Sequence, residues 1–296
     1  MNISIIVPIY NSEKFLSSFF EALLENTFFS GDEVLLIDNG STDDSYNICK
    51  KYSDNNAVFK LLTYTEKAGS YAARNYGVKQ ANGDVLVFTD SDTEPCKEWL
   101  SAIRSIIQRK IVIAGRIQLD IIDKKGIWEN FDSIAHLNSE KNAKESSIAT
   151  ANMAVYRSDF EEVGFFEERF SGGDYEWSQR AAANGMKIVF VRDALVHHPT
   201  RKTFEQVLKK EQRIAYGTGN HYKIHNKSLF CLVLRFCLKI FKIDTNLRYS
   251  KALKDRGLTI GELLYFNAKF MKIRVEQLKF SIYGYKEIDA RKLVIK

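Results

Sequence analysis

Residues 85–95 read VLVFTDSDTEP, and this stretch decides the fold. A run of apolar residues and a threonine leads directly into Asp90 and Asp92, which are one position apart. Side chains alternate along an extended chain, so these two carboxylates project to the same side. At the end of a strand they can share one divalent cation and leave its other positions to water and phosphate oxygens. For an isolated pair, a helix N-cap or an Asx turn before Pro95 and Trp99 is the simpler explanation.

The rest of the N-terminal half repeats the pattern of a short apolar run followed by polar residues. The β-rich runs lie at residues 3–8, 33–38, 58–63 and 84–89. Roughly twenty residues separate successive runs, which is the length that a right-handed βαβ crossover needs. Because the runs are apolar on both faces, they predict a parallel sheet covered by helices, with a further strand at residues 111–119. Ligands of such sheets bind beyond the carboxyl ends of the strands.

The composition indicates an ordinary globular protein with an uneven distribution of charge. The chain has 296 residues, 45% of them hydrophobic, and a formal charge of +6. Residues 201–296 hold 22 Lys and Arg against 8 Asp and Glu. The C-terminal third of the chain is therefore basic, and the residues before it carry a net negative charge. Four scattered cysteines form no metal-ligand or disulfide pattern, which fits a reduced cytoplasm. The N-terminus is interrupted by Pro8 and predicts a strand rather than a signal peptide. We expect a cytoplasmic protein, or one bound peripherally to a membrane surface.

Four motifs, in this order, resemble those of the family 2 glycosyltransferases. They are SIIVPIYNSEKFL (4–16), VLLIDNGSTDDS (34–45), AGSYAARNYGVKQANGDVLVFTDSD (68–92) and TANMAVYRSDFEEVGFFEERFSGGDYEWSQRAAANGMKIVFVRDALVHHPTR (150–201). The resemblance covers roughly residues 2 to 220. It implies the α/β fold called GT-A, a Rossmann-like, mostly parallel sheet flanked by helices. We predict a catalytic domain at residues 1–220 and a basic, amphipathic helical extension at residues 221–296.

The resemblance also implies roles for residues on the donor side. Pro8 and Tyr10 would line the base and ribose, and Asp38 would accept a hydrogen bond from the base, most often uracil. A helix N-cap is the alternative role for Asp38. Arg74 would contact the donor's phosphates or ribose, unless it lies on a solvated helix face. Gly69 would permit a close approach of the backbone, or form a simple turn.

For the metal and the diphosphate, the resemblance implies a second group of residues. Asp90 and Asp92 would bind Mn²⁺ or Mg²⁺, with Asp92 the more direct ligand, and the cation would neutralise the departing diphosphate. His198 would complete the metal site or contact the diphosphate, and its neighbour His197 could be mistaken for it. Asn152 would approach the donor sugar, and Arg201 could bind a phosphate. A tight loop explains an asparagine equally well, and a lone histidine is usually structural.

The catalytic base is predicted from the acidic residues near position 174. In the family an acidic pair, usually Glu-Asp, stands here, and Asp174 matches the second acid while Gly173 occupies the place of the first. We predict that Asp174 deprotonates the acceptor hydroxyl, with Glu176 as the fallback candidate. For both residues the alternative is an acid that complements the dipole at a helix N-terminus.

The basic back half contains the run KIHNKSLFCLVLRFCLKIFKI at residues 223–243. Its cations fall at helical spacings: Lys223, Lys227, Arg235, Lys239 and Lys242. Such a stripe opposite an apolar face is typical of a helix in a membrane interface that contacts anionic lipid. A helix packed on the catalytic domain explains the pattern about as well. Nucleic acid is a poor third candidate because no recognition motif is present.

The resemblance, together with the carboxylate motif, predicts a metal-dependent inverting glycosyltransferase. It would transfer a sugar from a nucleotide-diphosphate sugar to a cell-surface polysaccharide, lipopolysaccharide or lipid-linked oligosaccharide precursor. A sugar nucleotidyltransferase is a rival, but PIYNSEKF does not resemble its glycine-rich phosphate loop. A non-catalytic subunit that binds a nucleotide sugar or a partner glycosyltransferase is the other rival. It is favoured only by the missing glutamate beside Asp174.

Overall fold

The computed structural model describes residues 1–288, which fall into two units. The first comprises residues 1–119, 137–168 and 173–199, and the second comprises residues 120–136, 169–172 and those from 200 onward. The boundary predicted at residue 220 therefore lies inside a helix of the second unit, Phe204–Ile224.

The first unit is built on an eight-stranded sheet in the order β3-β2-β1-β4-β7-β6-β8-β5. The strands are β1 Ile3–Ile9, β2 Glu33–Asp38, β3 Phe59–Thr63, β4 Val85–Thr89, β5 Glu94–Pro95, β6 Ile111–Asp120, β7 Asn152–Tyr156 and β8 Lys187–Pro199. All strands predicted from the sequence are present. β1 pairs in parallel with β2 and β4, and β2 with β3, whereas β7 runs antiparallel to β4 and β6. The predicted class, a mostly parallel sheet flanked by helices, is confirmed.

Helices occupy most of the remaining chain. They are α1 Glu13–Leu24, α2 Ser45–Asn55, α3 Ser70–Gln80, α4 Trp99–Ile106, α5 Ile127–Ala135, α6 Ser139–Lys144, α7 Arg157–Val163, α8 Gly173–Ala183, α9 Phe204–Ile224, α10 Leu229–Ile240, α11 Ile243–Asp255 and α12 Ile260–Tyr285. The helices α5 and α9 to α12 belong to the second unit. The predicted helical C-terminal region is therefore confirmed.

Both faces of the parallel strands are buried, as the apolar runs predict. On β1, Ile5 and Val7 pack with the α1 residues Phe19 and Phe20 in one cluster, while Ile6 belongs to a cluster on the opposite face. Each fully buried side chain of this size stabilises the fold by about 1.5–3 kcal/mol. In register, Ile9 lies opposite Asp38, and Asp38 opposite Thr63. The polar residues that follow β1, β2 and β3 therefore emerge at the same edge of the sheet.

The second unit has its own aromatic core and one close helix crossing. Trp128, Phe131, Phe266 and Phe270 are buried together in that core. The helices α9 and α12 approach so closely that a Cβ at Gly219 would lie 1.8 Å from the carbonyl oxygen of Ser281. Only a glycine fits there, because a methyl group would overlap the neighbouring backbone.

The basic run at residues 223–243 does not form one continuous helix. α9 ends at Ile224, Asn226 adopts a left-handed conformation with φ of 51°, and the Ser228 hydroxyl accepts a hydrogen bond from the Phe230 amide at the start of α10. Of the five cations predicted to form one stripe, only Arg235 and Lys239 lie within α10. The single-helix prediction is wrong because a turn and a serine cap interrupt the run. Among the residues described, no helix combines the length and apolar character needed to cross a membrane.

Candidate active site

Asp90, Asp92 and His198 converge in the first unit. One ligand atom from each of the three side chains lies within 4.8 Å of the other two. The short strand β5 pairs with β8, and this pairing brings the segment after β4 next to the histidine. Inside the segment, the hydroxyls of Thr89 and Thr93 lie 2.8 Å apart and close the turn that carries both aspartates. The structure thus brings together the three residues predicted to bind a metal.

The hydrogen bonding of His198 suits it to be a ligand. Its Nδ1 lies 2.8 Å from the carbonyl oxygen of Pro199, which can only accept, so Nδ1 carries the hydrogen. In the neutral ring, which is the form that binds a metal, the lone pair is then on Nε2, which lies 3.7 Å from Oδ1 of Asp92. A histidine whose second nitrogen donates to a carbonyl is the usual arrangement at protein metal sites. Two carboxylates and one such imidazole fit a divalent cation.

Arg74 forms an ion pair with Asp90, one of the three clustered side chains. Its Nη2 donates to Oδ1 of Asp90, and the arginine side chain is almost fully buried. The guanidinium is also 5.5 Å from the centre of the Tyr71 ring. Arg74 therefore does not lie on a solvated helix face. Its guanidinium, which is predicted to contact the donor, is bound on one side by Asp90.

Asp174 lies in the first turn of α8, and its two oxygens have different surroundings. Oδ1 accepts hydrogen bonds from the Tyr71 hydroxyl at 2.8 Å and from the Tyr175 amide at 2.9 Å. Oδ2 accepts one long bond, 3.4 Å, from the Thr150 amide. Burial raises the pKa of Tyr71, and the charge of Asp174 raises it further. The phenol therefore stays protonated and holds the carboxylate in one orientation.

Helix α3 connects these elements through three polar side chains. Tyr71 binds Asp174 and Arg74 binds Asp90, as described above. Asn75 donates to the carbonyl oxygen of Phe166 at 2.9 Å and accepts from the Phe166 amide at 3.1 Å. One helix therefore positions Asp90 of the candidate metal cluster, the predicted base and the segment that precedes the base.

The turn before α3 is shaped by Gly69 and Asn39. Gly69 has φ of 129°, a conformation that residues with a side chain rarely adopt, and its amide donates to Oδ1 of Asn39 at 2.7 Å. Nδ2 of Asn39 donates to the carbonyl oxygens of Tyr64 and Lys67. Gly69 is thus required by a turn, and Asn39 fixes the whole segment that enters α3.

The residues predicted to bind the nucleotide follow β1 and β2. Asp38 is buried, and its carboxylate accepts from the amides of Gly40 at 3.2 Å and Ser41 at 3.4 Å. The N-cap of α2 is Asp44, so Asp38 does not cap that helix. Tyr10 is exposed and Pro8 half-buried, at the end of β1. All three lie at the edge of the sheet where ligands of this architecture bind.

Comparison with known proteins identifies the family. Residues 4–164 match the model of glycosyl transferase family 2, and residues 85–266 match that of glycosyl transferase family group 2. The chain is 32% identical to glycosyltransferase AglE of Haloferax volcanii over 220 residues, 73% of this chain and 72% of that protein. The chain belongs to glycosyl transferase family 2.

Two further similarities accompany this assignment. The family 2 enzyme is 26% identical over 213 residues to the poly(ribitol-phosphate) beta-N-acetylglucosaminyltransferase TarS of Staphylococcus aureus, covering 70% of this chain and 37% of TarS. Its fold matches the mannosyltransferase PcManGT of Pyrobaculum calidifontis, solved with GDP-Man and Mn²⁺, with a TM-score of 0.66 and 16% identity over 97% of this chain and 88% of that one. The structural likeness confirms the GT-A fold, and the family match establishes the glycosyltransferase class.

Other predicted site residues of this glycosyltransferase have partners that give them structural roles. Asn152 is buried; it accepts from the Trp99 indole at 2.9 Å and donates to the carbonyl oxygens of Arg116 and Ala194 at 2.9 and 2.8 Å. Its amide ties together three elements of the core, and its contact with the sugar stays a prediction. Arg201 lies in the second unit and pairs with Asp132; its contact with a phosphate stays a prediction.

Glu176, the fallback base, is buried in an ion pair. Both of its oxygens accept from Arg180, at 2.6 and 3.0 Å, and Arg180 also donates to the carbonyl oxygens of Val163 and Phe165. A carboxylate held on both oxygens by one guanidinium is a poor proton acceptor. The geometry favours Asp174 over Glu176.

Sequence reasoning did not assign roles to Tyr71, Asn75 or Asn39. Two of them lie inside the quoted segment GSYAARN, where only Gly69 and Arg74 received a role. Their spacing could have indicated a shared role, because Tyr71 and Asn75 are four residues apart and lie on one face of α3, with Arg74 nearby. Their partners, however, lie about a hundred residues further along the chain.

Proposed function

We propose that this protein is an inverting, metal-dependent glycosyltransferase that uses a UDP-sugar. It would transfer the sugar to a hydroxyl of a cell-surface polysaccharide, lipopolysaccharide or lipid-linked oligosaccharide precursor. The observation that carries the proposal is the arrangement of α3, which connects an acid of the Asp90, Asp92 and His198 cluster to Asp174. A single helix thereby holds Asp90 of the proposed metal site and Asp174, the proposed base.

The residues of the cluster would hold Mn²⁺ or Mg²⁺ through two carboxylates and Nε2 of His198. A cation there would supply Lewis-acid stabilisation of the departing diphosphate. Support comes from the ligand set itself and from PcManGT, which was solved with GDP-Man and Mn²⁺. Arg74 compensates part of the negative charge of the cluster through Asp90.

Asp174 would act as the general base. Its Oδ1 already accepts two hydrogen bonds, so we assign the proton of the acceptor hydroxyl to Oδ2, which accepts one long bond. The acceptor oxygen would then attack the anomeric carbon directly, and the nucleoside diphosphate would leave. A single displacement of this kind inverts the configuration at that carbon, which NMR spectroscopy of the product can follow.

The donor and the location are the remaining parts of the proposal. TarS, a structural neighbour with a TM-score of 0.55 and 19% identity, was solved with UDP-GlcNAc, which supports a uridine nucleotide. Asp38, with Pro8 and Tyr10, would hold the base and ribose. We place the enzyme in the cytoplasm or on the inner face of the cell membrane.

Calorimetric titration with UDP, GDP, CDP and dTDP, each with and without Mn²⁺, tests the donor site. We expect metal-dependent binding of UDP to the wild type and its loss in Asp92→Ala. The control Asp54→Ala removes an exposed carboxylate of α2 and should bind as the wild type does. If no diphosphate binds to the wild type under any condition, the proposed function is wrong.

A second variant tests the base separately from the donor site. Asp174→Asn should bind UDP and Mn²⁺ normally but lose transfer, because the amide cannot accept the proton. General-base catalysis typically contributes about 10²–10⁴-fold to the rate. Full transfer activity in this variant would exclude Asp174 as the base.

A further inference from the structure

Helix α10 has an exposed apolar row that nothing in the described structure covers. Phe230, Leu234, Leu238 and the C-cap residue Phe241 are 72, 46, 61 and 78% exposed. Their spacings of four, four and three residues place them on one side of the helix. We call these four residues the α10 stripe.

The opposite side of α10 packs against the core of the second unit. Leu232 and Phe236 are buried with Ala215, Tyr216 and Phe280. The α10 stripe is therefore not needed to attach the helix to its own unit. Soluble proteins rarely keep a contiguous apolar surface of this kind without a partner.

The charge around the stripe selects the kind of partner. Residues 212–243 contain no Asp or Glu but six cations, namely Arg213, Lys223, Lys227, Arg235, Lys239 and Lys242. Of these, Arg235 is exposed on α10, and Lys242 is exposed directly after Phe241, as the N-cap of α11. A second copy of this surface would bring like charges together, which opposes self-association. An apolar row flanked by cations instead matches the interface of an anionic lipid bilayer.

We propose that the α10 stripe docks on an anionic phospholipid surface, with the helix lying in the plane of the interface. Phe230, Leu234, Leu238 and Phe241 enter the boundary between headgroups and acyl chains, and the flanking cations bind lipid phosphates. This proposal deepens the proposed function, because it gives a physical basis for work on a membrane-anchored acceptor. It does not depend on nucleotide binding, since its residues all lie in the second unit.

Sedimentation with vesicles tests the proposal on the full-length protein. Vesicles of phosphatidylcholine alone are compared with vesicles that also contain phosphatidylglycerol. We expect the wild type to bind the anionic vesicles and the double variant Leu234→Glu/Leu238→Glu to lose more than about tenfold in affinity. The matched control is Leu24→Glu, because Leu24 is 42% exposed but lies at the end of α1 in the first unit. The control should bind as the wild type does.

Charge variants and a local probe give independent readouts. Arg235→Gln and Lys242→Gln should each weaken binding to anionic vesicles about fivefold, since a cation near such a surface contributes about 1 kcal/mol. Cys231 is exposed within α10. After Cys96→Ser and Cys237→Ser substitutions, a polarity-sensitive dye on Cys231 should shift its emission to the blue on binding.

Three outcomes would overturn the proposal. The first is that the wild type binds neither type of vesicle, and the second is that the double variant binds as well as the wild type. The third is that light scattering finds a dimer for the wild type and a monomer for the double variant, which would make a second copy the partner of the stripe. Calorimetry with UDP and Mn²⁺ on the same samples distinguishes failure of this surface from failure of the donor site.

Discussion

Each unit of the molecule contains two carboxylates and a histidine, and the two sets differ in their surroundings. In the first unit, Asp90 and Asp92 are 31 and 32% exposed, and their oxygens converge with Nε2 of His198. In the second, His136 lies between Asp132 and Glu211, with each ring nitrogen 2.7 Å from a different carboxylate oxygen. In the first set the three ligand atoms converge. In the second set the same types of atom form hydrogen bonds with one another.

The second set is also compensated by cations. Asp132, which is fully buried, accepts from the amide of Arg201 at 3.0 Å and from its Nη1 at 3.1 Å, and Nζ of Lys210 lies 3.6 Å away. Gln277 donates to Glu211. The comparison shows that residue types do not define a metal site. The first set is partly exposed and its ligand atoms converge, as a metal site requires, whereas the buried and fully hydrogen-bonded second set has a structural role.

The largest expected effect comes from the first set. Asp92→Asn should lower the rate of sugar transfer by about a thousandfold or more, since metal stabilisation of a leaving group is worth several kcal/mol. The free energy of unfolding should stay within about 0.5 kcal/mol of the wild type, because the side chain is partly exposed. Transfer assays and urea unfolding on the same preparation check both statements. If the variant unfolds more easily but transfers sugar normally, Asp92 has a structural role and is not a metal ligand.

The second set should respond in the opposite way. His136→Leu removes the donor between two buried carboxylates, so we expect the free energy of unfolding to fall by about 3–5 kcal/mol. The affinity of the folded protein for UDP and Mn²⁺ should not change. If His136→Leu does not fold, His136→Gln retains a donor group and should lose less stability. Wild-type stability in both variants would show that the set is not structural.

Tyr71→Phe sharpens the comparison within the first unit. Loss of the hydroxyl leaves Oδ1 of Asp174 with one donor, so we expect kcat to fall roughly tenfold, the equivalent of a hydrogen bond of about 1.5 kcal/mol to a charged group. KM for the donor should be unchanged, because Tyr71 positions the base rather than the nucleotide. Tyr76→Phe, on the same helix and stacked on Tyr64, serves as the control. An equal loss of kcat in both variants would argue for a general packing effect.

The smallest expected effect is a dependence of stability on pH. Burial alone raises the pKa of Asp132, but the hydrogen bond from His136 and the charges of Lys210 and Arg201 outweigh it and hold the pKa well below its usual value. Because this pKa is lower in the folded than in the unfolded chain, ionised Asp132 stabilises the fold above about pH 4. That stabilisation is lost as the pH falls further.

Urea unfolding between about pH 5 and pH 3 measures this loss, with the window set by the unfolded carboxyl pKa. Asp132→Asn should be less stable at pH 7 and should lose less stability on acidification than the wild type does. The exposed-site variant Asp54→Asn should follow the wild-type curve. Identical slopes in Asp132→Asn and the wild type would contradict the ion-pair interpretation.

Much of the fold could be predicted because its determinants are local. The apolar runs that form β1 to β4 are short, bounded by polar residues and apolar on both faces, so their burial in a parallel sheet follows from their pattern. The convergence of Asp90, Asp92 and His198 was expected from motif order. The broken helix at Asn226 and Ser228 was missed because cation spacing continues through the turn, although both residues are of types that favour helix ends.

The sequence by itself determined which segments become strands, which edge of the sheet carries the polar residues, and which family the chain resembles. Only the tertiary structure decided the partners: Tyr71 with Asp174, Arg74 with Asp90, Asn152 with three core elements, and Arg201 with Asp132. The physical reason is the distance along the chain over which each interaction acts. Backbone conformation and side-chain alternation are set by neighbouring residues, whereas a buried polar group must find a partner wherever packing provides one.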